Sequence, residues 1–110
     1  MPQPADTVNL NPDHLDIVKQ LLQKHIPHDT VWAFGSRVTE NIKPYSDLDL
    51  VIVRDHPLSL ELLAALAEDF SQSDLPFRVD IVDWATTHAS FRKIIQQQFV
   101  VLQTCDTVFE

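Results

Sequence analysis

Apolar positions along this chain follow two rhythms that alternate. Leu15, Val18, Leu22 and Ile26, with Leu21 beside them, recur every three to four residues, the spacing that stacks side chains on one face of a helix. Asn11 suits the N-cap and Pro12 the first helical position; Leu10 and Leu15 stand where a hydrophobic staple packs, and Pro27 stops the element. VWAF, 31–34, reads as a short buried strand that runs straight into Gly35, and LDLVIV, 48–53, as a second strand rich in β-branched residues. A helix is predicted over 58–70, with Leu60, Leu63, Leu66 or Ala67, and Phe70 as its apolar stripe. FRVDIVDW, 77–84, reads as a third strand. A last helix is predicted over about 86–99, with Phe91, Ile94, Ile95 and Gln98/Phe99 on its inner face, and VVL, 100–102, as a short fourth strand. Strands alternating with helices predict an α/β layered fold, a small sheet backed by helices. The first ten residues, with two prolines, read as a loose tail on a single domain that spans 1–110.

Composition narrows the class without deciding it. Apolar residues make up 45% of the 110 positions and charged residues 22%, as in ordinary globular proteins. No apolar run approaches the roughly 18 residues of a membrane span, and the N-terminus has neither the basic nor the apolar stretch of a secretory signal. Cys105 is the lone cysteine, which excludes an internal disulfide and a cysteine-based zinc site; a cytoplasmic protein is expected. Eight basic against sixteen acidic residues give a net charge of −8 with no basic cluster, so direct nucleic-acid binding through phosphate neutralisation is not expected. A phosphate-bearing ligand would need a metal cation or a few local donors instead.

That requirement turns attention to 35–50, GSRVTENIKPYSDLDL, which holds the only glycine in the chain. Asp47 and Asp49 are two apart at the start of a strand and therefore project from one face, while Leu48, Leu50 and Ile52 go to the other. Two carboxylates on one face repel unless a cation sits between them, and Mg²⁺ is the hard, oxygen-seeking choice. Asp80 lies mid-strand in an apolar run, where an unpaired charge is costly to bury. If its strand lies beside the second, it joins the other two, and three carboxylates can hold two ions for an in-line displacement at phosphorus. Asp83 is a rival that reads more simply as a solvated turn position. Gly35 follows a buried strand and precedes a short predicted helical turn, Arg37 to Asn41. With no Cβ it lets backbone N–H groups approach a phosphate, and Ser36 adds a hydroxyl donor. Arg37 adds charge to the same cradle, or is a surface arginine. Singly, each of these features is an ordinary turn or strand edge; their order along the chain is what points to chemistry.

Gly35-Ser36, ten residues, then Asp47-Leu48-Asp49 resembles the G-S-x10-D-x-D signature of the DNA polymerase beta-like nucleotidyltransferase superfamily. FGSRV, YSDLDLVIV and the later VDIV resemble its minimal nucleotidyltransferase (MNT) branch, over residues 15–102. One departure is Val38-Thr39, where many relatives carry another glycine. The resemblance implies a small mixed sheet backed by helices, the nucleotidyltransferase fold. It implies that Gly35 and Ser36, with Arg37, bind the triphosphate of ATP; that Asp47 and Asp49 coordinate Mg²⁺; and that Asp80 completes the metal site and helps deprotonate an acceptor hydroxyl. The reaction implied is transfer of AMP with loss of pyrophosphate. MNT proteins are typically paired with a HEPN-domain toxin, a helical RNase, so the resemblance implies an antitoxin that adenylylates a toxin tyrosine. Two alternatives stand beside it: an antitoxin that works by masking its toxin, and transfer to a small molecule, against which the lack of a second domain argues.

Overall fold

Asn11 starts the first helix in the way its residue type favours. Its Oδ1 accepts a hydrogen bond from Asp13 N at 2.8 Å, and Pro12 fills the first turn of α1 (Pro12–His25). The computed structural model describes residues 8, 10–38 and 46–104, with Ser36 through its backbone only. After α1 come β1 (Thr30–Phe34), β2 (Leu48–Val53), α2 (Leu60–Gln72), β3 (Val79–Asp83), α3 (Ala89–Gln97) and β4 (Val100–Gln103). The strands form one sheet in the order β3-β2-β1-β4. β1 is antiparallel to both β2 and β4, whereas β2 and β3 are parallel and joined through α2. The small mixed sheet backed by helices is therefore present. Among the described residues, no helix is long and apolar enough to cross a membrane.

Strand alternation divides the apolar residues between two faces. Val31, Ala33, Leu48, Leu50 and Ile52 are buried with Val18 and Leu22 of α1 and Leu66 and Phe70 of α2. On the other face Trp32, Phe34, Val51, Val53 and Val82 pack with Ile95 of α3 and with Phe99. Trp32 stacks on Phe99 with centroids 4.1 Å apart and meets Trp84 edge-on at 5.5 Å. Burying a side chain such as Leu22 or Leu50 contributes about 1.5–3 kcal/mol, so both faces hold the sheet in place.

Several elements depart from the periodic pattern. Leu60 is 83% exposed. Ser59 caps α2 by accepting from Leu62 N, and it is Leu58, before the cap, that is buried with Leu63 packed against the same core. A staple thus replaces the expected first stripe position. The strand expected over 77–84 is confined to Val79–Asp83, because a 3₁₀ turn, Trp84–Thr86, follows at once. α3 accordingly starts at Ala89 and buries Ile95 alone, while Phe91 stands at the rim against Phe34 and Ile94 is 57% exposed. Ile94 lies about 100° around the helix from Ile95, too far to share its contact. At the other end Val8 is buried in the core, so the tail is anchored there; residues 1–7 and 9 lie outside the described residues.

Candidate active site

The parallel pairing of β2 and β3 sets Asp49 directly opposite Asp80, with Leu48 opposite Val79 and Leu50 opposite Ile81. Facing residues on neighbouring strands share a face, so the two carboxylates stand side by side. Phe34, the antiparallel partner of Asp49 on β1, lies on the same face. Asp47 immediately precedes β2, and all three acids are partly exposed. The condition attached to Asp80, that its strand lie beside the second, is met.

Electrostatics mark this cluster. The Asp49 carboxyl is pushed up to about 6, first by burial and then by the charges of Asp80 and Asp47. Among the described residues, no three acidic, His or Cys side chains are drawn into a closed coordination shell. The donor set itself fits a hard divalent cation such as Mg²⁺: carboxylate oxygens only, on one face, accessible to water and substrate.

Gly35 ends β1 and opens a 3₁₀ turn, Gly35–Val38, with φ of +83°. Other L-residues rarely adopt that conformation. A Cβ here would overlap Asp49 Oδ2 and lie 3.2 Å from its Cγ. The expected reason for the glycine was room for a phosphate; the structure adds a nearer one, since the missing Cβ clears the space that Asp49 occupies. At the Val38-Thr39 departure, Val38 is buried in the core and, like every described non-glycine residue, has no positive φ. The helical turn expected from Arg37 to Asn41 is observed as far as Val38; 39–45, like the Ser36 hydroxyl, lie outside the described residues.

Two residues behave differently from their sequence readings. Arg37 is 6% exposed, so it is no surface arginine. Its Nε donates to Ser46 O at 2.9 Å and its guanidinium lies 4.1 Å from the Phe77 ring centroid. Burial pulls its pKa down, and the charge of Asp47 opposes that. Asp83 is not solvated: it is 8% exposed. Its Oδ2 accepts from Leu58 N at 2.9 Å and its Oδ1 from Ala85 N at 3.3 Å. It ties the start of α2 to the turn after β3, a structural role. The burial of Arg37 and the part of Phe77 had no signature in the sequence, because both arise from contacts between distant segments.

A cleft of about 360 Å³, lined by Ala67, Phe70 and Ser71 of α2 and by Phe77, Arg78 and Asp80, opens beside the cluster. A larger one, about 540 Å³, lies between α1 and β4 and carries none of the three acids.

Comparisons with known proteins agree with this fold. Residues 16–107 match the family described as Polymerase beta, Nucleotidyltransferase. The chain is 48% identical over 103 residues to the probable protein adenylyltransferase MntA of Haemophilus influenzae, covering 94% of this chain and 90% of that one. Among solved structures it resembles a chain of a toxin–antitoxin with AMP-PNP, at 22% identity and a TM-score of 0.70, over 84% of this chain and 74% of that one. It also resembles a chain of the tri-AMPylated Shewanella oneidensis HEPN toxin in complex with MNT antitoxin, at 23% identity and a TM-score of 0.66, over 86% and 73%. At such identities these structures speak for the fold.

Proposed function

Because the chain belongs to the Polymerase beta, Nucleotidyltransferase family, we propose that it is a protein adenylyltransferase and the antitoxin of a HEPN toxin. It moves AMP from ATP to a tyrosine hydroxyl of that partner and releases pyrophosphate, in the cytoplasm. The single observation that carries the reading is the parallel register that places Asp80 opposite Asp49, next to Asp47 and to the glycine that makes room for Asp49. The 48% identity to a probable protein adenylyltransferase supports the acceptor being a protein.

In this reading Asp47, Asp49 and Asp80 hold Mg²⁺, at two positions. Bound there, Mg²⁺ supplies charge neutralisation for the triphosphate and polarises the reacting phosphorus. The backbone at Gly35 and Ser36, with the Ser36 hydroxyl, receives the terminal phosphates. Asp80 accepts the proton of the acceptor hydroxyl as its oxygen bonds to the α-phosphorus; the bond from that phosphorus to the bridging oxygen breaks and pyrophosphate leaves. Most of the rate comes from positioning and charge neutralisation.

The test is transfer to the partner. The chain alone should turn over ATP slowly. Adding the HEPN protein with Mg²⁺ and ATP should add one or more AMP masses to that protein. Asp80→Asn should still bind the partner and leave it unlabelled and toxic. A non-toxic, unlabelled complex would make masking the mechanism.

A further inference from the structure

We propose that Arg37 is a positioning residue for the acidic cluster: it fixes the segments leading into β2 and β3, and with them Asp47 and Asp80. The inference rests on the adenylyltransferase reading and deepens it, by making the Arg37 charge act on the carboxylates rather than on the nucleotide.

Three contacts carry it. Arg37 Nε donates to Ser46 O, the carbonyl immediately before Asp47. The face of the same guanidinium lies over Phe77, three residues before Asp80. Between these two points Leu48 N donates to Arg78 O at 2.8 Å, so the two lead-in segments are also bonded to each other. Phe77 is held from its other neighbour by His14 of α1, edge-on at 5.7 Å. Arg37 itself stands two residues beyond Gly35, whose bend abuts Asp49. One buried cation thus touches the segments that deliver all three carboxylates. Burying a guanidinium is costly, and that cost is offset only where its donors and its face both find partners. The residue type follows: a planar guanidinium can donate along its edge while stacking on a ring, which a lysine ammonium on a flexible stem cannot do together. With 6% of its surface exposed, Arg37 offers little to a ligand in solution.

The experiment titrates Mg²⁺ into wild type, Arg37→Lys and Arg37→Met at fixed AMP-PNP, reading thermal stabilisation, and measures AMP transfer kinetics alongside. The Mg²⁺ concentration for half-maximal stabilisation should rise about tenfold or more in both variants, the usual effect of losing a group that orients metal ligands. The KM for ATP at saturating Mg²⁺ should be unchanged. An unchanged Mg²⁺ midpoint in both variants overturns the inference and leaves Arg37 merely structural. A raised KM for ATP with an unchanged Mg²⁺ midpoint overturns it in favour of nucleotide contact. If Arg37→Met does not fold, Arg37→Lys and Phe77→Leu, each of which removes the stacking of guanidinium on ring, must still raise the midpoint; no shift in either overturns it. Wild type that neither gains stability from Mg²⁺ nor transfers AMP would instead overturn the adenylyltransferase reading itself.

Discussion

Asp49→Asn should make the protein more stable and inactive. Asp49 is pushed up from the ordinary 3.8 to about 6 by burial, Asp80 and Asp47. Its ionised form is therefore disfavoured in the fold. Below the unfolded value both states are protonated and there is no penalty. The penalty grows as pH rises through the interval between the two values, and it is complete above about 6. One pKa unit is about 1.4 kcal/mol, so the full displacement corresponds to about 3 kcal/mol. Asp49 is only partly buried, and solvent screening brings the expected gain for the asparagine variant to about 1–2 kcal/mol at pH 7.5. For a domain of this size that is a rise in Tm of about 4–8 °C. Scanning calorimetry from pH 4 to pH 8 without divalent cations should show the gap between variant and wild type opening with pH and closing near pH 4. Adding Mg²⁺ with AMP-PNP should raise the wild-type Tm and leave the variant behind. A variant that melts below wild type at pH 7.5, or a gap of equal size at pH 4, would refute the reasoning, since neither follows from a carboxylate held at a cost.

Gly35→Ala should lose stability by about 1–2 kcal/mol for the left-handed φ and should lose most AMP transfer, because its Cβ displaces the Asp49 carboxylate; urea melts and transfer assays check both, and wild-type activity would show that Asp49 has room to move. Asp83→Ala should cost about 1–3 kcal/mol by leaving Leu58 N and Ala85 N without their acceptor, while AMP transfer per folded molecule stays at the wild-type level; a catalytic defect in the folded fraction would return Asp83 to the metal site.

Local rules in the sequence determined a good deal of this protein. Asn11-Pro12 started α1 and Val18 and Leu22 turned inward, since capping and helical period act within a few residues. The alternation of LDLVIV put Asp49 on the face opposite Leu48 and Leu50, since strand period allows no other arrangement. The order of Gly35-Ser36, Asp47-x-Asp49 and Asp80 marked the candidate site on the chain alone. Tertiary structure decided the rest. Whether Asp80 would face Asp49 depended on β3 joining β2 in parallel at that register, a pairing made across the length of α2 and set by how Leu66 and Phe70 pack on the sheet. Leu60 and Ile94 carry the hydropathy of core residues and are exposed, because among the described residues nothing covers the first position of α2 or that flank of α3. Asp83 reads as a solvated turn position and Arg37 as a phosphate-binding or surface charge, yet both are buried, because their partners, Leu58 and Ala85 for one and Ser46 and Phe77 for the other, include residues well away along the chain. Even the single glycine, evident in the sequence as a bend, took its sharpest constraint from a carboxylate fourteen residues further on, since only folding brings Asp49 against it.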